Sequence, residues 1–266
     1  MCRWLAYAGE PVFLDELICK PEHSLVAQSL CAVEAKTPTN GDGFGIGWYG
    51  EREEPGLYRE VLPAWNDQNL ASLAHQIRSG LFFAHVRAST GTSSSRPNCH
   101  PFACGRWLFM HNGQIGGYLR LRRRLEALIP DVLYDRREGT TDSEILFLML
   151  LANGLEADPL AAIARTLAEV TQIMAAAGVA EPLRFTSALT DGRSIYALRY
   201  ASDDRPPSLY WRSGDAGGSG KAVSIVSEPL EEPETWQALP AGEVLLVGPD
   251  RQIRFEALDL HAQAAE

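Results

Sequence analysis

Long apolar runs are missing from this 266-residue chain. None approaches the ~18 residues that a membrane-spanning helix needs. Cysteine is scarce, and Cys2, Cys19, Cys31, Cys99 and Cys104 form an odd, irregular set that excludes a disulfide framework. Positive charge is also short. The formal net charge of -10 argues against a general nucleic-acid binder, whose footprint is basic. No secretory apolar segment opens the chain, because Glu10, Asp15 and Glu16 interrupt it. The expectation is a soluble, cytoplasmic protein with reduced thiols and neither nucleic acid nor membrane as partner. Internal repeats and a convincing linker are lacking, so one domain over 2–266 is expected.

Two cofactor signatures are absent as well. Asn40-Gly41-Asp42-Gly43-Phe44-Gly45-Ile46-Gly47 has four alternate glycines, but lacks the GxGxxG spacing and a following helix. Alternate glycines suit a strand lying close under another backbone or a ligand. Cys99, His100 and Cys104, with His85 or His111 nearby, match no common zinc pattern. No metal and no cofactor are expected.

What is present is an ordinary globular composition, 45% hydrophobic and 22% charged, enough for a sizeable core. Trp4 to Ile18 reads as short strands broken by a turn at Ala8-Gly9-Glu10-Pro11. Ser24 caps a predicted helix to about Glu34, and another spans about Gln68–Arg78. Leu81–Ala88 and Trp107–Met110 are apolar strands that deliver Arg87 and His111-Asn112-Gly113 at their ends. A hairpin turn at Asn112-Gly113 is the ordinary alternative. Tyr118, Leu121, Leu125 and Leu128 fall at helical spacing, with Arg120, Arg122, Arg123 and Arg124 mostly on a solvated face. Thr141 and Glu144 fit a capping box that opens an apolar helix, and Asp142 suits its first turn. A helix over about Pro159–Ala177 follows. The remainder is mainly β, with a loop at Gly214–Gly220.

Met1-Cys2 carries a chemical possibility. Once Met1 is trimmed, one residue bears a thiol and a free α-amine, whose unperturbed pKa values are ~8.5 and ~8. The amine can take the thiol proton at little cost, so nucleophile and base come from one residue. An inert second-position cysteine is the bland alternative, since thiol reactivity needs an activating environment. A Cys-His pair drawing on His23, His75, His85, His100 or His111 is another.

Cys2, Asn40–Ile46, His85-Val86-Arg87-Ala88-Ser89-Thr90, His100-Pro101-Phe102, His111-Asn112-Gly113-Gln114-Ile115 and Thr141-Asp142-Ser143-Glu144 occur in that order. Together they resemble the glutamine-hydrolysing domain of class II glutamine amidotransferases, within the N-terminal-nucleophile hydrolases. The opening Met-Cys-Arg, Pro21–Ser24 and Ser227-Glu228-Pro229-Leu230 are more similar to two stand-alone branches. These are the amidotransferase-like subunit of the fungal glutathione-degrading complex and the γ-glutamyl hydrolase of ergothioneine synthesis.

The resemblance implies an α+β, four-layer αββα sandwich with two mostly antiparallel sheets. It implies Cys2 as nucleophile with its own amine as base, and Asn112 with the Gly113 N–H as oxyanion hole. Arg87 would bind the substrate α-carboxylate and Asp142 its α-amino group, with Ser89 and Thr90 beside them. Asn40 and Gly41 would support the amine. The implied reaction is hydrolysis of a γ-glutamyl amide bond in glutamine or a γ-glutamyl amide or peptide, through a thioester. A catalytically silent subunit of the same fold is the alternative. Ala88 and Gly91-Thr92 depart from the residues beside the arginine in the sugar-aminating branch, and no room exists for a second, ammonia-consuming domain. The partners implied are therefore a small-molecule substrate and, separately, an ammonia-accepting or peptidase protein.

Overall fold

A computed structural model describes residues 2–32, 39–89, 93–214, 221–258 and 260. Side-chain alternation along β1 (Arg3–Phe13) assigns its neighbours. Leu5 and Tyr7 enter one apolar cluster, while Trp4, Ala6 and Ala8 enter another on the opposite face. A strand buried on both faces must lie inside a stack of layers.

The chain builds those layers in alternation. β2 (Phe44–Trp48), β3 (Gly56–Glu60) and β4 (Arg78–Val86) join β1. β5 (Phe102–Cys104), β6 (Trp107–Gln114), β7 (Arg184–Thr190) and β8 (Ile195–Ala201) begin a second sheet. β9 (Tyr210–Gly214), β10 (Ala222–Val226) and β11 (Gln237–Ala238) return to the first. β12 (Glu243–Val247) and β13 (Ile253–Ala257) complete the second. The resulting orders are β11-β9-β10-β1-β4-β2-β3 and β13-β12-β8-β7-β6-β5, antiparallel throughout.

Helices cover both outer faces. α1 (Asp15–Ile18), α2 (Leu25–Leu30) and α3 (Gln68–Gln76) place Leu17, Leu25 and Leu70 against Tyr7 and Phe82 of the first sheet. α4 (Tyr118–Glu126), α5 (Asp131–Tyr134), α6 (Asp142–Ala152) and α7 (Pro159–Ala176) lie on the second, with Leu121, Ile145 and Leu167 against Phe109 and Phe185. Between the sheets lie Trp4, Phe83, Leu108, Met110, Ile225 and Leu245. This is the expected αββα sandwich. α6 is buried without a break from Ser143 to Leu150 because it has β6 below it and α4, α5 and α7 around it. No helix among the described residues is long and apolar enough to cross a membrane.

Local expectations shift in four places. Ala8–Pro11 makes no turn; β1 runs on to Phe13 through a register shift between Ala8 and Val12, and Asp15–Ile18 is helical. α2 stops at Leu30, four residues short of the expected end, although Ser24 does cap it by accepting from the Ala27 N–H. Leu128 lies beyond α4 and is exposed. The capping box is half built: Thr141 Oγ1 accepts from Glu144 N, but the Glu144 carboxylate is taken by the Glu138 and Gly139 N–H groups. Most of the Gly214–Gly220 loop lies outside the described residues.

The alternate glycines of β2 are explained by backbone contact. A Cβ on Gly45 would sit 2.3 Å from the His100 carbonyl oxygen, and one on Gly43 would sit 2.6 Å from Cys99 Sγ. The 99–101 segment therefore rests directly on β2, which is the close-backbone reading of the motif. Gly45→Ala should destabilise the protein by about 2–3 kcal/mol, because the obstruction is backbone and cannot rotate away. Urea unfolding measures it; an unchanged midpoint would show that the segment gives way.

Candidate active site

The β1–β4 register sets the site. Arg3 pairs with Val86, so Cys2, just before β1, meets the residues just after β4. The Ala88 N–H donates to Cys2 Sγ at 3.4 Å, and Sγ lies 3.6 Å from the Ala88 carbonyl. Burial pushes the Cys2 thiol up, while the Ala88 N–H and the Arg87 and Arg3 charges pull against that rise.

β6 brings the second sheet to the same place. Asn112 and Gly113 belong to the strand and pair with Thr186 and Phe185, so the hairpin-turn alternative is wrong. Asn112 is buried, and its Nδ2 donates to the Cys2 carbonyl at 3.0 Å. Gly113 is obligatory: an added Cβ would lie 1.9 Å from the Arg184 carbonyl oxygen.

Arg87 is buried beside Cys2 and anchored by the loop before β2. Its Nη1 donates to the Asp42 carbonyl at 3.3 Å, and its Nη2 to Ser89 Oγ at 3.2 Å and the Ser93 carbonyl at 3.4 Å. Asp42 also accepts from the Ser89 N–H at 2.7 Å. Asp142 sits at the first turn of α6 as expected. One of its oxygens accepts from Ser143 N and the other from Ile115 N, each at 2.9 Å, which ties α6 to the chain leaving β6.

Asn40 is fully buried. Its Nδ2 donates to the Gln28 carbonyl at 3.3 Å, while its Oδ1 has no hydrogen-bond partner among the described residues. Gly41 lies against Trp65. Thr90 falls outside the described residues.

Other expectations separate out. His111 donates or accepts at Ser143 Oγ (2.8 Å) and at the Arg184 carbonyl (3.1 Å). A carbonyl only accepts, so Nε2 carries the hydrogen and both nitrogens are occupied. The His85 and His100 rings lie tilted against each other with centroids 4.3 Å apart, and none of their ring nitrogens has a hydrogen-bond partner among the described residues. Among the described residues no hydrogen bond joins any of these rings to Cys2 Sγ. Cys99 is buried, and burial raises its thiol to about 11. No group of three or more metal-ligating side chains forms among the described residues.

Four neighbours escaped the sequence reading of the site. Arg3, one residue after Cys2, is fully buried; its Nη1 donates to the Cys2 carbonyl at 2.9 Å and its Nε to Glu228 at 2.6 Å. Ser227 Oγ accepts from Trp4 N at 2.9 Å. Asp42 holds Arg87 and Ser89, as above. The only advance signal was that Met-Cys-Arg and Ser-Glu-Pro-Leu belong to the same resemblance.

The family of class II glutamine amidotransferases matches residues 18–205. This chain belongs to the class II glutamine amidotransferases. A class II relative, the probable glutamine amidotransferase DUG3 of Saccharomyces cerevisiae, is 32% identical across 93% of this chain and 82% of its own. The γ-glutamyl-hercynylcysteine sulfoxide hydrolase of Mycolicibacterium smegmatis is 28% identical across 90% and 92%. A solved class II domain protein from Silicibacter pomeroyi is 38% identical with a TM-score of 0.75, covering 96% of this chain and 99% of that one. The phosphoribosylpyrophosphate amidotransferase of B. subtilis shares the fold alone, at 14% identity and a TM-score of 0.65 over half of its length.

Beside the candidate site lies a histidine cluster that the fold keeps neutral. Burial, then the charges of Arg87 and His111, lowers His85 to about 3; burial also lowers His100 and His111. The unfolded chain takes up these protons below about pH 6.5, whereas the folded chain does not. Stability should therefore be full above that pH and fall as pH drops, with His85 alone accounting for about 2 kcal/mol between pH 6.5 and 5. Urea midpoints at pH 7 and pH 5 check this. A His85→Phe variant that loses as much stability as wild type would refute it.

Proposed function

We propose that this chain is an amidohydrolase, a single class II amidotransferase domain that hydrolyses the γ-glutamyl amide bond of glutamine or a γ-glutamyl compound through a Cys2 thioester. The observation that carries the reading is the convergence on Cys2. Its sulfur receives the Ala88 N–H, its carbonyl receives the Asn112 amide, and Arg87 stands next to Ala88.

With Met1 removed, the Cys2 α-amine takes the thiol proton, and the thiolate attacks the γ-carbonyl carbon. Negative charge then develops on the carbonyl oxygen. Asn112 Nδ2 has two hydrogens, so the one not given to Cys2 serves this oxyanion together with the Gly113 N–H. The ammonium returns its proton to the leaving nitrogen as the C–N bond breaks, releasing ammonia or an amine. Water, deprotonated by the same amine, splits the thioester, and glutamate leaves with the thiol restored.

The substrate end fits the charges. Arg87 supplies a fork of donors for the α-carboxylate and Asp142 a carboxylate for the α-ammonium, with Ser89 holding the guanidinium. The buried Asn40 Oδ1 is an acceptor suited to the Cys2 ammonium, and Gly41 lets Trp65 close that loop. The names of the yeast and mycobacterial relatives support an amidotransferase acting on γ-glutamyl compounds.

Kinetics test this. Cys2→Ala should abolish hydrolysis of both glutamine and a γ-glutamyl peptide, and rates equal to wild type would defeat the proposal. Asn112→Ala should cost about 100-fold in kcat, or ~3 kcal/mol. A glutamine-analogue electrophile should label Cys2 in chains whose mass shows Met1 removed; labelling at Cys99 would redirect the mechanism.

A further inference from the structure

We infer that Arg3 and Glu228 form a positioning pair for Cys2, fixing its carbonyl and setting the local charge around its amine and thiol. This deepens the proposed function and rests on that reading.

Arg3 is fully buried and Glu228 is 6% exposed. A buried ion pair is a poor source of stability, since apolar residues of similar volume often do as well or better. The fold alone does not call for it at this position. Arg3 nevertheless directs Nη1 of its guanidinium at the carbonyl of the preceding residue, the proposed nucleophile, while its Nε donates to Glu228.

The pair is also joined to the far side of the site. Ser227 N donates to the Trp4 carbonyl at 3.0 Å, and Trp4 N returns a bond to Ser227 Oγ. Gln28 Nε2 lies 3.3 Å from the Glu228 carbonyl and 3.4 Å from that of Pro229. The Gln28 carbonyl accepts from Asn40, the residue whose Oδ1 suits the Cys2 amine. One hydrogen-bonded strut therefore links the residue holding the Cys2 carbonyl to the residue suited to the Cys2 amine.

Charge gives the pair a second effect. The charged groups nearest the site are Arg3 on β1, Glu228 after β10, Arg87 after β4, Asp42 bonded to Ser89, and Asp142 on α6. His85, His100 and His111 are uncharged at neutral pH. A guanidinium near Cys2 favours loss of a proton from both thiol and ammonium; Glu228 opposes it. The two partners thus act on protonation with opposite sign, which a purely structural pair does not.

The experiment uses the full, Met1-processed chain. The kcat/KM of glutamine hydrolysis and the iodoacetamide alkylation rate of Cys2, mapped by mass spectrometry, are followed against pH. Arg3→Met should move the acidic limb of both up by about half a unit to one unit, and Glu228→Gln should move it down. Because Arg3→Met strands a buried carboxylate, the double variant Arg3→Met/Glu228→Leu is included. It should keep the wild-type Tm or exceed it, yet lose about 10-fold or more in kcat. Coincident limbs for both single variants, or wild-type kcat in the double variant, would overturn the pair's role. Alkylation needs no turnover, so it tests the pair even if wild type forms no adduct with a glutamine analogue, an outcome that would instead overturn the thioester reading.

Discussion

The antiparallel register of β1 against β4 is the constraint on which the site depends. With Arg3 opposite Val86, Trp4, Ala6 and Ala8 face the second sheet, and Leu5 and Tyr7 face the helices. A slip by one residue would exchange those faces and bury the wrong set throughout the strand. The hydrophobic pattern therefore fixes where Cys2 lies relative to Ala88. Packing distributed over the whole strand sets the position of one sulfur atom at its end.

The second sheet adds its part through a different device. Gly113 is forced by the Arg184 carbonyl, and the glycines of β2 by the 99–101 segment. Both are places where backbone lies on backbone with no room for a side chain. The second of these seats the chain entering β5 directly on β2 of the first sheet, and Asn112, on one sheet, reaches the carbonyl of Cys2, at the start of the other. Asp142 is carried in by α6, whose continuous burial leaves it little freedom.

Much of this was legible in the sequence because it is local or periodic. Continuous apolar runs marked β4 and β6, helical spacing marked α4, and Ser24 and Thr141 marked helix starts. Alternate glycines announced a close backbone approach. The parts that were not legible are long-range. Arg3 and Glu228 are 225 residues apart, and nothing in either segment alone says that one neutralises the other. Asp42 stands among the alternate glycines with nothing local to mark it, yet its carbonyl and carboxylate hold Arg87 and Ser89. Asn112-Gly113 has the composition of a hairpin turn, and only its pairing with Thr186 and Phe185 shows that it is strand. The end of β1 was misread because Gly9 and Pro11 act as turn residues in most settings, yet here they fall at a register shift that the strand survives.

Five cysteines are available, and the environments of two of them differ in a way that favours Cys2 as the proposed nucleophile. Cys99 is buried between the Glu60 and Ser95 carbonyls, each 3.5 Å from its sulfur, and no N–H is directed at it among the described residues. Carbonyl acceptors favour the protonated thiol, and burial raises its pKa further. Cys2 is also desolvated and its thiol is raised by burial, but the Ala88 N–H points at its sulfur and offsets part of the cost of a thiolate. Two guanidinium groups act on each sulfur, Arg87 among both pairs, so the difference between them is the direction of one peptide group, that of Ala88, which follows from the β1–β4 register.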